Sequence, residues 1–289
     1  MMNKIINHVK RLRNKLYIPS IRVIPNNKCV DFIIKNHCSV IRLGDGEFDL
    51  IGGKSIPYQI YDKSLSEESR NIALTKSNSQ LLICIPDVFK DIDRYKKSTK
   101  NWYFDNFYYQ NRKLLKEIYN TGNWYGSTFL SRPYIDLKDK KNAGLYFDNL
   151  KKIWTNKDVL IVEGFYTRSG EGNDLFKNAR SIQRIVCPSK NAYTKLGVIE
   201  KAIKAYGKNK IVLLMLGPTS KVIVNDMYKN SMQLIDLGHI DSEYEWFKMG
   251  VYEKTKIPGK HTAEFNNDDD KVELKSDKSY DKQVVAYIN

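Results

Sequence analysis

The sequence predicts an α/β fold: one domain built on a mainly parallel sheet with helices on both faces. Three observations carry this. Short apolar runs alternate with helix-length stretches from about residue 27 onward. The run 211–216 is apolar at every position, as expected of a central strand covered on both faces. The loops that follow several of these runs concentrate glycine, acids and single basic residues, and ligands bind at the carboxyl ends of strands in open parallel sheets.

Taken in order, residues 1–22 hold six Lys or Arg and no acid. Ile5, Ile6, Val9, Leu12 and Leu16 recur at three- and four-residue steps, so a basic amphipathic helix is expected over 1–26. That pattern suits peripheral contact with an acidic membrane surface, or packing on the domain or on a partner subunit. Strands are expected at 39–43, 81–85, 127–130, 159–162, 181–186, 211–216 and 233–237. Helices are expected at 29–36, 66–77, 111–119, 145–154, 192–206 and 220–229. The domain is bounded at 27–265. Beyond it, 266–279 is polar and lacks periodicity, so 266–289 reads as a partly disordered tail in which 284–288 could add an edge strand. No internal repeat occurs, and 289 residues suit one core domain.

Composition narrows the function classes. Hydrophobic residues make up 42%, enough for a sizeable core, and no apolar run is long enough to span a membrane. The start lacks the apolar core of a secretory signal. With 48 Lys and Arg against 33 Asp and Glu, the net charge of +15 favours anionic partners: nucleic acid, acidic lipid or phosphorylated small molecules. Cys29, Cys38, Cys84 and Cys187 form no CxxC pair, which argues against a zinc ribbon and for reduced thiols in the cytoplasm.

Four post-strand segments carry the chemistry. In Arg42-Leu43-Gly44-Asp45-Gly46-Glu47, two carboxylates two apart on a tight turn can face one hard cation. A dinucleotide fingerprint fails there because Asp49 stands at the third glycine position, and a Walker A loop fails because Phe48 stands where glycine is needed. A turn merely capped by Asp45, with Glu47 solvated, is the structural alternative. In the glycine-rich stretch 163–174, Arg168 could grip a phosphate and Asn173 or Asp174 a sugar hydroxyl. Gly217-Pro218-Thr219-Ser220 would offer the N–H groups of Thr219 and Ser220 to an anion, or form an ordinary helix cap. The segment 236–246 packs one His and four acids into a strand end and helix start. There His239, Asp241 and Glu243 could supply a ligand and a general base, with Glu243 ranked first as base. A fifth stretch, 94–112, mixes Lys and Arg with Trp102, Tyr103, Phe104, Phe107, Tyr108 and Tyr109. It could stack single-stranded nucleic acid; core with a few exposed platforms is the favoured reading.

The segments RLGDGE (42–47), EGFYTRSGEGNDLF (163–176), SIQRIVCPSKNAY (181–193), LGPTS (216–220) and DLGHIDSEYEW (236–246) together resemble the GT-D-fold glycosyltransferases. This bacterial family was first catalogued as a domain of unknown function. The resemblance covers roughly 27–265 with five motifs in the same order. It implies a single Rossmann-like domain whose D-x-E motif, here Asp45-Gly46-Glu47, binds a divalent cation (Mn2+ or Mg2+) with a nucleoside-diphosphate sugar. It further implies a UDP-hexose donor, glucose before galactose, and a growing bacterial glycan on a protein or lipid carrier as acceptor. Arg42, Gly44, Arg168, Asn173, Asp174, Gly217, Thr219 and Ser220 are then the expected substrate contacts, and the chain would work in the cytoplasm or at the inner membrane face. A catalytically silent glycan-binding partner of another transferase is the alternative. Nucleic-acid binding ranks below both.

Overall fold

The computed structural model describes residues 18–262, 265, 272–274 and 277–289. Residues 1–17, the bulk of the expected basic helix, lie outside this range, as does most of 263–276.

Among the described residues nine strands form one sheet: β1 (Arg22–Val23), β2 (Ser39–Arg42), β3 (Leu81–Ile85), β4 (Trp124–Ser127), β5 (Asp158–Gly164), β6 (Ser181–Cys187), β7 (Ile211–Met215), β8 (Gln233–Asp236) and β9 (Val284–Tyr287). The order is β1-β4-β3-β2-β8-β7-β5-β6-β9, and every pairing is parallel. β2, β3 and β7 are buried along their whole length; the unbroken apolar runs of β3 and β7 permit this, while in β2 the polar ends Ser39 and Arg42 are buried with hydrogen-bond partners. Two apolar layers flank the sheet. One gathers Ile41, Ile83 and Leu214 with Phe107, Leu115 and Ile223; the other gathers Val40, Leu82 and Leu213 with Phe147, Trp154 and Trp246.

The helices are α1 (Asn26–Asn36), α2 (Asp45–Ile51), α3 (Lys63–Leu74), α4 (Lys97–Trp102), α5 (Arg112–Asn120), α6 (Ala143–Lys151), α7 (Leu196–Tyr206), α8 (Thr219–Met227), α9 (Ile240–Met249) and α10 (Lys278–Gln283). α3 starts earlier than its apolar spacing suggests because the Asp62 carboxylate caps it, accepting the Leu65 N–H.

Four differences from the sequence-based expectation matter. The strand placed at 127–130 lies at Trp124–Ser127. Ser127 caps a 3-10 turn over Thr128–Ser131, accepting the Phe129 N–H, and Gly126 lets β4 approach β3, since a Cβ there would lie 2.7 Å from Cys84 Sγ. The turn at 44–47 is instead the head of α2. The last residues are integral to the sheet: β9 pairs with β6, and α10 buries Tyr280. At the other end, Ile21 is buried and Arg22–Val23 pairs with β4, so the expected N-terminal helix does not extend to these residues.

Candidate active site

A cavity of about 710 Å³ crosses the carboxyl ends of the central strands. Its floor comes from the segments after β2, β7 and β8: Gly44 to Glu47, Gly217 to Lys221, and Gly238 with His239. One wall follows β5 and β6, with Gly164, Tyr166, Thr167 and Ser189. The opposite wall follows β3 and β4, with Thr99, Trp102, Arg132 and Asp136.

Gly44 caps α2, and Asp45 and Glu47 are its first and third residues, where the helix dipole favours carboxylates. Side chains two apart on a helix point in different directions. Asp45 accordingly opens outward, whereas Glu47 turns inward, 5% exposed, with Oε2 accepting the Gly44 N–H at 2.7 Å.

Beneath the floor lies a buried charge network that sequence reasoning missed. The Lys221 ammonium donates to the Gly217 carbonyl at 2.9 Å and pairs with Glu47 at 3.2 Å and Asp236 at 3.0 Å. Arg42 pairs with Asp236 and donates to the Thr128 carbonyl at 3.1 Å. Burial pushes the Asp236 carboxyl up, but Lys221 and Arg42 outweigh it and hold the group below its ordinary value. Lys221 thus ties together the segments after β2, β7 and β8. Gly238 is required here: its φ is +50°, and a Cβ would lie 1.8 Å from Arg42 Nη2.

The expected site residues divide. Asp45, Glu47, Arg42, Gly44, Gly217 and His239 all line the cavity. The His239 ring lies 6.2 Å from that of Tyr58 and 6.0 Å from that of His261, a second histidine that no motif singled out. Glu243 does not open into the cavity. It is completely buried, accepts the N–H groups of Tyr134 and Ile135 at 3.1 Å each, and faces Arg132 at 3.7 Å. Burial, opposed by Arg132, pushes its pKa up to about 7. Asp241 is buried in a separate cluster, bonded to Gly170 N–H, Asn173 and Lys260. Asn173 joins Asp241 to Glu245, which fixes the glycine-rich loop on α9. Asp174 faces Tyr244, Lys151 and Lys248. Arg168 pairs with Glu171 and stacks on Tyr280 at 4.1 Å. Gly164, Tyr166 and Thr167 of that loop line the cavity in their place. The Ser220 N–H donates to the Gly217 carbonyl and its hydroxyl accepts the Leu216 N–H, while Thr219 is buried, so Gly217 and Pro218 line the cavity and these two residues do not.

A wholly parallel sheet with a deep cleft across its central strand ends is the architecture of an α/β enzyme. The family model for the glycosyltransferase GT-D fold matches residues 40–265, and the chain belongs to that family. Over 268 residues it is 48% identical to the probable glycosyl transferase Gly of Streptococcus gordonii, covering 93% of this chain and 39% of that protein. It is 45% identical to glycosyltransferase GlyD of Streptococcus pneumoniae serotype 4, covering 91% of this chain and 32% of that one. The chain therefore spans 39% and 32% of the length of these two relatives. A solved structure described as the highly conserved domain of unknown function 1792, with a distinct glycosyltransferase fold, superposes at TM-score 0.90 with 46% identity, covering 98% of this chain and all of that one. A glycosyltransferase of the same domain type from Streptococcus sanguinis superposes at 0.89 with 47% identity, covering 93% of this chain and all of that one.

The donor set at the D-x-E positions suits a hard divalent cation, being oxygen-only and set on the floor of the cleft. Among the described residues no three His, Cys, Asp or Glu side chains form a complete metal site. A cation here would complete its shell with substrate oxygens and water, and contact with Glu47 would compete with Lys221.

Proposed function

We propose that this chain transfers a hexose, glucose first and galactose second, from a UDP-sugar to a hydroxyl of a glycan on a protein or lipid carrier. The observation that carries this reading is the pair of acids at the head of α2, on the floor of a cleft large enough for a nucleotide sugar. Asp45 and Glu47 would hold Mn2+ or Mg2+, which when bound offsets the charge that grows on the departing diphosphate. Lys221 pairs with Glu47 and Asp236 and fixes the three floor segments, so the site is organised before substrate arrives. His239 replaces Glu243 and Asp241 as the group that takes the acceptor proton, because it is the one of the three lining the cleft. The homologues named as glycosyltransferases support the reaction class.

The six basic residues of 1–22 would bring this chain to an anionic membrane where a lipid-linked acceptor resides. Among the described residues no helix is long and apolar enough to cross a membrane. A panel of UDP-, GDP- and TDP-sugars with Mn2+, scored for release of the nucleoside diphosphate, tests the donor assignment. Fastest release from UDP-glucose is expected; preference for a GDP- or TDP-sugar would overturn it.

A further inference from the structure

We propose that the cavity wall after β3 and β4 is the subsite for a hexose ring of the acceptor, with Trp102 as its stacking platform and Asp136 as the carboxylate that takes its hydroxyls. The proposal rests on the transferase reading and assigns the acceptor side of that same cleft.

Trp102 ends α4 and lines the cavity with 39% of its surface exposed. Its surroundings make that exposure informative. The chain continues into a π-helical turn, Tyr103–Phe107, where Tyr103, Phe104 and Phe107 are buried, as is Tyr108 just beyond. A stretch that buries nearly every other ring presents this one to the cleft. The Tyr103 ring stands edge-on to it, 5.1 Å away at 86°, which fixes the indole plane. One turn back on the same helix face, Thr99 donates its hydroxyl to Asp136 Oδ1 at 3.1 Å. Arg132 donates to Asp136 Oδ2 at 3.0 Å. Asp136 is thereby oriented through both oxygens, and a carboxylate has about four acceptor positions, so capacity remains for sugar hydroxyls. A flat aromatic face beside an oriented carboxylate matches a hexose, which has an apolar ring face and a rim of hydroxyls.

The sheet order assigns this wall to the acceptor. β3 and β4 lie on one side of β2, while β8, β7, β5 and β6 lie on the other. The glycine turns at Gly164 and Gly217 belong to that second side. On the β3–β4 wall the cations are engaged, Arg132 by Asp136 and Lys96 by Glu253, so neither is offered to a diphosphate.

The test uses tryptophan emission from the full chain. Trp154 and Trp246 are buried, and Trp124 is half-buried against Phe32, so acrylamide quenching reports chiefly on Trp102. Maltose, cellobiose, lactose and N-acetyllactosamine are added in turn, with UDP as the comparison. At least one disaccharide should shield Trp102, and UDP should not. Asp136→Asn, which keeps the reporter, should weaken that shielding roughly tenfold. In transfer assays Trp102→Ala should raise the acceptor KM roughly tenfold, with a smaller change in the donor KM. Shielding by UDP but by no disaccharide would give this wall to the donor base and overturn the proposal; shielding by neither would also overturn it. Absence of any sugar-nucleotide turnover would sink the transferase reading alone, since quenching reads the subsite independently.

Discussion

Glu243 shows how burial decides what an acid can do. Its carboxyl sits against two backbone N–H groups and Arg132, away from the cleft. The folded group keeps its proton to about pH 7, whereas the unfolded group releases it near 4.5. Folding therefore takes up a proton in this window, and stability falls as pH rises from 4.5 to 7, by about 3 kcal/mol in all. Glu243→Gln should flatten that slope in denaturant titrations while changing turnover by less than about threefold. A large loss of turnover with the slope intact would restore Glu243 as base. The sequence displayed the density of acids at 236–246 but not their directions. Helical spacing sends Asp241 and Glu243 into the interior, and only the packed neighbours, Lys260 and Arg132, reveal it. Asp45 was legible because a polar pair directly after a buried strand must lie at the sheet's carboxyl edge. Lys221 was hidden because a lysine in a helix start is ordinary until Glu47 and Asp236 arrive from elsewhere in the chain.

At the scale of elements, α10 and β9 are fastened to the sheet through Tyr280. The guanidiniums of Arg168, at 4.1 Å, and Arg184, at 4.5 Å, both stack on its ring, and its hydroxyl donates to Glu163 at 3.0 Å. Arg168 belongs to the loop whose Tyr166 and Thr167 line the cleft, so the last strand braces the site from behind. Tyr280→Ala should cost about 3–5 kcal/mol, and Tyr280→Phe about 1 kcal/mol. Hydrogen exchange across Val284–Tyr287 should accelerate in the first variant. Unchanged exchange there would show that β9 is held by its ladder alone. The strands easiest to read were those whose apolar runs leave no choice, such as Leu81–Ile85 and Ile211–Met215. Trp124–Ser127 escaped because Trp-Tyr-Gly-Ser carries no strand pattern, its burial coming from close approach at Gly126. The head of α2 was read as a turn because two glycines argue against a helix. The Glu47 bond back to the Gly44 N–H compensates.

For the whole molecule, the parallel sheet brings motifs nearly two hundred residues apart, Asp45 and His239, to one floor. The alternation of runs made that convergence readable, since every strand in such a sheet ends on the same edge. Which loops turn into the cleft and which turn away is set by side-chain networks between elements, and 163–174 shows both outcomes within one loop. The proposed cation-dependent transfer over Asp45 is read out by UDP release from UDP-glucose with Mn2+ in three samples: wild type, wild type with excess chelator, and Asp45→Asn of verified fold. Release in wild type, with a loss of roughly a hundredfold or more in both other samples, is the predicted result. Undiminished release in chelator, or from Asp45→Asn, would contradict it.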